Sequence, residues 1–250
     1  MLINNEKGGY HFLKGIDPYS CGVISNDGYE ICHAICSNPI PWREGFEFID
    51  QYLRERNLAR HALCAVQLRS PKSYSMEDFI NYNREYSEVL HGWDLSVAGV
   101  NPLARSHLIP LTLKLKVPVM HAFSYVVANN NANRPTFIVA GAGELLNGGA
   151  LNDENIVCPH QTDAVSMKLK AECVMDAMVE RIKGLGAKWE WVTSVDVYTR
   201  HPIDKLLNDV IKPRLSRALR CGVTIQDNSP PVEAIEFEMD MRGITKEFWV

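Results

Sequence analysis

The chain has 250 residues, 46% of them hydrophobic and 22% charged, which suits one large or two ordinary domains with a sizeable core and excludes intrinsic disorder. A net charge of −4 argues against a nucleic-acid or anionic-membrane partner, and no apolar run approaches the ~18 residues that span a bilayer. Seven cysteines at irregular spacing fit reduced thiols, and Met1–Lys7 lacks the layout of a secretory signal, so a soluble cytoplasmic protein is expected.

Two short apolar segments, Ser20–Ile24 and Tyr29–Ile35, flank Asp27-Gly28, a strong hairpin signal. Pro39-Ile40-Pro41 should break the second strand and lead into a helix over about 42–56, with Phe46, Ile49, Tyr52 and Leu53 on one face. His61–Leu68 reads as a buried strand. Ser75 with Asp78 can cap a helix to about Leu90 that buries Phe79, Tyr82 and Tyr86. Leu103-Ala104-Arg105-Ser106 precedes two strand candidates, Leu108–Leu115 and Val119–Ala128. Four asparagines in 129–133, closed by Arg134-Pro135, suit a surface connection. They divide a domain over 1–128 from one over 136–250, with 129–135 as linker.

The second part opens with a strand, Thr136–Ala140, and a glycine-rich loop, Gly141–Gly149. Gln161-Thr162-Asp163 can start a long helix to about Lys183, whose 3.6 period carries Met167, Ala171, Val174, Met178 and Ile182. Trp191–Thr199 reads as a strand and Ile203–Leu219 as a helix. After Pro230-Pro231, strict alternation puts Ile235, Phe237, Met239 and Met241 on one strand face. Glu236, Glu238, Asp240 and Arg242 fall on the other, to be met by solvent or a neighbouring subunit. Like charges on one face repel unless cations sit opposite. The two parts share an element order, and Val66–Pro71 and Val197–Pro202 end matching strands, which points to internal duplication.

Familiar chemical motifs are missing. Cys32-His33-x-x-Cys36 lies on a strand that sends alternate side chains to opposite faces, so no metal site is expected. Gly141-Ala142-Gly143 lacks the third glycine and the adjoining helix of a dinucleotide loop, and no organic cofactor is expected. The chain has no Gly-x-Ser-x-Gly, phosphate loop or His-Glu-x-x-His. Structural roles are the simplest reading of His107 and His121, and Cys221 reads as a small buried residue. Arg220 and Glu236 remain: an arginine can grip a carboxylate bidentately, and a carboxylate can deprotonate a water.

Gln161-Thr162, Gly186 before Val195–Thr199, Arg220-Cys221-x-Val223 and Pro231…Ile235-Glu236-Phe237-Glu238 together resemble the YjgF/RidA proteins, the enamine/imine deaminases. The first part resembles a more divergent copy, through Phe79-x-x-x-Asn83-x-x-Tyr86 and Leu103-Ala104-Arg105-Ser106. The resemblance covers most of residues 10–245. It implies an α+β fold of two chorismate-mutase-like domains, each a mixed sheet backed by two helices. It also implies homotrimers with sites in clefts between subunits, and hydrolytic release of ammonia from a small carboxylate resembling 2-aminoacrylate or 2-aminomuconate. Carried over, Arg220 is the carboxylate clamp, Glu236 the water-activating acid/base and Arg105 the first domain's clamp. Asn83, Tyr198, Arg217 and Cys221 are expected to join them in substrate binding.

Two departures bear on these roles. The arginine-to-glutamate segment is one residue longer than the family pattern, which makes Arg217 and Glu238 rivals. The first copy, Val117–His121, has no glutamate, while the second has Val210-Ile211-Lys212-Pro213 where Asn-x-x-Tyr should stand. Two other readings stay open: a non-catalytic carboxylate-binding protein, and a tailoring hydrolase or lyase like the chorismate-hydrolysing enzymes. RNA cleavage, proposed for the family, suits this acidic chain poorly.

Overall fold

The computed structural model describes residues 1–146 and 151–250. The chain runs β1 (Leu2–Asn5), β2 (Tyr10–Leu13), β3 (Gly22–Ser25), β4 (Tyr29–Pro41), α1 (Trp42–Arg54), β5 (Leu63–Arg69), α2 (Met76–Gly92), β6 (Ala104–Pro110) and β7 (Val119–Ala128). Then follow β8 (Phe137–Gly143), α3 (Ala164–Gly184), β9 (Ser194–Tyr198), β10 (Thr224–Gln226), β11 (Asn228–Ser229), β12 (Glu238–Gly243) and β13 (Lys246–Trp249). The tail of the expected glycine-rich loop, 147–149, lies outside the described residues.

Local signals set the helix starts. Ser75 Oγ accepts from Asp78 N at 3.1 Å to cap α2, and Asp163 Oδ1 accepts from Val165 N and Ser166 N to cap α3. Each helix buries the face its periodicity gives: Phe46, Ile49 and Leu53 of α1, Phe79, Tyr82 and Tyr86 of α2, Met167, Val174 and Met178 of α3. The helix expected over 203–219 is broken into short α, π and 3-10 turns across 204–221. Pro213 within it has no N–H to donate, so the regular ladder cannot run through.

Two sheets result, ordered β1-β2-β3-β8-β12-β9-β10 and β11-β6-β5-β7-β4-β13. Helices α1 and α2 pack on the outer face of the six-stranded sheet, and α3 with 204–221 on that of the seven-stranded sheet. Tyr10, Phe12, Val23, Ile31, Cys64, Val126 and Ile138 form an apolar cluster between the sheets. The architecture is therefore helix, sheet, sheet, helix.

This pairing overturns two expectations. Two chorismate-mutase-like domains of YjgF/RidA type, each closed on its own sheet and backed by two helices, are not what forms. Strands β1, β2 and β3 extend the sheet built on β8, β12 and β9, while β11 and β13 cover the two edges of the sheet built on β4–β7. A strand edge left open is a template for unwanted pairing; the second half covers both edges of the first half's sheet, and the first half covers the β8 edge of the second's. What recurs between the halves is a strand order, β6-β5-β7-β4 against β10-β9-β12-β8, with the first two parallel in each. The Asp27-Gly28 turn, secondly, makes no hairpin: β3 pairs with β2 and β8, and β4 with β7 and β13. Gly28 at φ 79° turns the chain from one sheet into the other. Residues 129–135 cross between the sheets again, from β7 to β8.

Candidate active site

Strand β12 carries the acids of the candidate site. Its apolar residues, Met239 and Met241, pack under α3 with Phe237 just before them. The alternate face, Glu238, Asp240 and Arg242, is turned to the other sheet; Glu238 is 7% and Asp240 1% exposed, and Arg242 is half-buried. Opposite stands β6 with Arg105, Ser106 and His107, all buried. Ser106 Oγ donates to Asp240 Oδ2 at 2.6 Å, Tyr198 Oη donates to the same oxygen at 2.9 Å, and Arg242 pairs with Asp196 at 3.2 Å. Buried carboxylates on one strand face are tolerable because these donors and cations face them.

The seam opens at one end into a cavity of about 700 Å³, lined among others by Tyr19, Phe79, Asn83, Arg105, His107, Gly141 and Glu238. Both halves of the sequence contribute to its wall. The Phe79-x-x-x-Asn83-x-x-Tyr86 spacing puts three residues of α2 around one guanidinium. Asn83 Oδ1 accepts from Arg105 Nη2 at 2.7 Å, and Arg105 Cζ lies 4.7 Å from the Tyr86 ring centroid, 5.7 Å from Phe79 and 4.6 Å from Tyr19. Arg105 Nη1 is buried without a hydrogen-bond partner among the described residues. A fixed, half-satisfied guanidinium on a cavity has the geometry to take a carboxylate oxygen.

Glu238 shares that cavity. Burial, then the neighbouring Asp240 and Glu144 charges, raise its pKa from 4.5 to about 8, against the opposing pull of Arg181 and Arg105. Gly141 makes room for it, since a Cβ there would fall 2.2 Å from Glu238 Oε1. Just upstream, Glu144 Oε1 and Oε2 accept from Glu236 N at 2.7 Å and Phe237 N at 3.0 Å. Glu144 also pairs at 3.0 Å with Lys170, both side chains fully buried. This clamp fixes the entry to β12. His107 Nε2 contacts Ser70 Oγ at 2.7 Å and its Nδ1 is unpartnered. Burial, with the nearby Arg105 and Arg69 charges, holds this imidazole well below its ordinary pKa, so it is neutral.

Of the residues singled out from sequence, Asn83 and Arg105 meet at the cavity. Arg220 lies exposed on the turn before β10 and donates to Glu190 O at 2.6 Å. Glu236 faces elsewhere, 2.8 Å from His201 Nε2 and 3.8 Å from Arg200 Nε. The structure therefore does not bring positions 220 and 236 together. The cause is local: the strand begins at Glu238 and not at Ile235, and Thr199 Oγ1 holds Glu236 O at 2.7 Å. Arg217 is exposed, Cys221 is exposed with Sγ 2.9 Å from Val192 O, and Tyr198 lies beneath the cavity on Asp240. Glu238 stood in the sequence only as a rival to Glu236, and Gly141 only as a turn residue. The available signal was that Glu238 and Glu236 share one face of an alternating strand. Among the described residues no group of three or more His, Cys, Asp or Glu could hold a metal ion, and no helix is long and apolar enough to cross a membrane.

A family model described as 2-aminomuconate deaminase CnbZ matches residues 2–248. A 2-amino-5-chloromuconate deaminase of Comamonas testosteroni is 33% identical over 244 residues, covering 96% of this chain and 95% of that protein. Among solved structures, a chorismatase aligns at 10% identity over 96% of this chain and 78% of its own, with a TM-score of 0.45. A cyanuric acid hydrolase aligns at 13% identity over 88% and 69%, with a TM-score of 0.44.

Proposed function

The chain belongs to the 2-aminomuconate deaminase CnbZ family, and from its cavity we propose that it hydrolyses the enamine or imine form of a muconate-like carboxylate, releasing ammonia. The observation that carries this reading is the pairing, on one cavity, of the unfilled Arg105 Nη1 with the raised carboxyl of Glu238. Arg105 takes a carboxylate oxygen of the substrate and thereby orients the adjacent carbon–nitrogen unit. At neutral pH Glu238 holds its proton, which it gives to an enamine carbon to form the iminium. The carboxylate left behind takes a proton from water as the water oxygen bonds to the iminium carbon. The carbinolamine then collapses: Glu238 returns that proton to nitrogen, the carbon–nitrogen bond breaks, and the hydroxyl proton restores the acid. Enamine and water become ketone and ammonia, with no redox change.

Ammonia release from 2-aminomuconate by Arg105→Ala and Glu238→Gln tests this. Each should lose about a hundredfold or more in kcat/KM. Unchanged rates in both variants would refute it. Binding of the substrate by the wild-type protein with no ammonia formed would favour a non-catalytic carboxylate-binding role.

A further inference from the structure

Helix α2 runs along the cavity and lines it with Ile80, Asn83, Arg84, Ser87, Glu88 and His91, the 3.6-residue stripe of one helix face. Asn83 is tied to the buried Arg105. Arg84, the next residue, is exposed at the cavity, and among the described residues its one hydrogen bond is to Asn81 Oδ1 at 3.3 Å. It makes no ion pair with Glu88, one turn on, the weaker order for such a pair on a helix. Glu88 sits about 6 Å farther along the helix than Arg84, and Asp17, an acid at the cavity besides Glu88 and Glu238, accepts from Ser87 Oγ at 3.3 Å. Apolar side chains, Phe79, Ile80, Val232 and Ile235, also line the cavity.

We infer that Arg84 receives the second carboxylate of the substrate, so that the cavity selects a diacid with an unsaturated hydrocarbon middle. The inference rests on the reading of Arg105 as the first carboxylate's receptor. One guanidinium is sealed and preorganised, the other is solvated. A short diacid enters with one end desolvated on Arg105, its carbon chain against the apolar wall, and its far end still wet at Arg84. Arg84 thus adds selectivity for the far end and leaves the chemistry at Glu238 untouched.

The test uses unreactive acids, so it stands apart from turnover. Titration calorimetry compares trans,trans-muconate with sorbate, the same all-trans six-carbon diene carrying a single carboxylate, on the wild-type chain, Arg84→Gln and Arg105→Gln. The wild type should bind muconate about tenfold more tightly than sorbate. Arg84→Gln should erase most of that preference with sorbate affinity unchanged, while Arg105→Gln weakens both acids. A preference that survives Arg84→Gln, or a wild type with none, overturns the inference. Failure to release ammonia from 2-aminomuconate would count against the hydrolytic reading alone.

Discussion

Replacing Glu238 by glutamine should abolish ammonia release and make the protein more resistant to unfolding in alkali. The carboxyl titrates at about 8 in the fold and near its ordinary 4.5 in the unfolded chain. Between those values the unfolded chain has lost the proton that the folded one keeps. Stability therefore falls as pH rises from 4.5 towards 8, and the penalty is complete above 8. At about 1.4 kcal/mol per pH unit, the interval corresponds to roughly 5 kcal/mol. Glutamine cannot ionise, and burying its amide costs about 1–2 kcal/mol at every pH, so the slope against pH is the observable. Urea denaturation of both proteins between about pH 5 and about pH 9 should show the variant gaining several kcal/mol on the wild type across that range. Parallel stability curves would mean that Glu238 is not a buried acid with a raised pKa, and the proton-transfer role would fall with it.

The wild-type kcat/KM should fall as pH rises through about 8, because Glu238 must start protonated; a kcat/KM rising through that pH contradicts the order of steps. Gly141→Ala places a methyl 2.2 Å from Glu238 Oε1 and 3.3 Å from Ser106 Cα. It should cost about 1–3 kcal/mol of stability and at least about tenfold in kcat as the carboxyl is displaced; activity at the wild-type level would show that the acid's position is immaterial. Lys170→Met leaves Glu144 buried without its cation and should cost about 3–5 kcal/mol in urea denaturation, against under ~1 kcal/mol if the pair carries nothing. Arg220→Ala and Glu236→Gln, both outside the cavity, should keep ammonia release within about twofold of wild type.

Much of the fold could be read in the chain because helix signals are local. Ser75 and Asp163 cap where their spacing says, and the faces of α1, α2 and α3 follow from periodicity alone. Sheet membership is not local. Asp27-Gly28 specifies a reversal, but whether the next strand pairs with its predecessor depends on distant edges, and β3 finds β8 across more than a hundred residues. The same limit applies to β12. Alternation divides Glu238, Asp240 and Arg242 from Met239 and Met241, yet a period of two cannot tell a solvated face from a buried polar seam. That seam exists because β6 brings Arg105 and Ser106 opposite the acids.

The candidate site was legible to the same degree. Phe79, Asn83 and Tyr86 share one helix face at readable spacing, and Arg105, expected as the first domain's clamp, does lie on the cavity beside Asn83. Arg220 and Glu236 carried the motif but not the geometry, since the one lies exposed on the turn before β10 and the other precedes the pleat of β12.

A crystal structure of the protein with cis,cis-muconate tests the central assignment most directly. The account predicts one carboxylate on Arg105 Nη1, now with its missing partner, and the adjoining carbons beside the Glu238 carboxyl. Muconate seated away from Arg105, with Glu238 remote from its carbon chain, would contradict it.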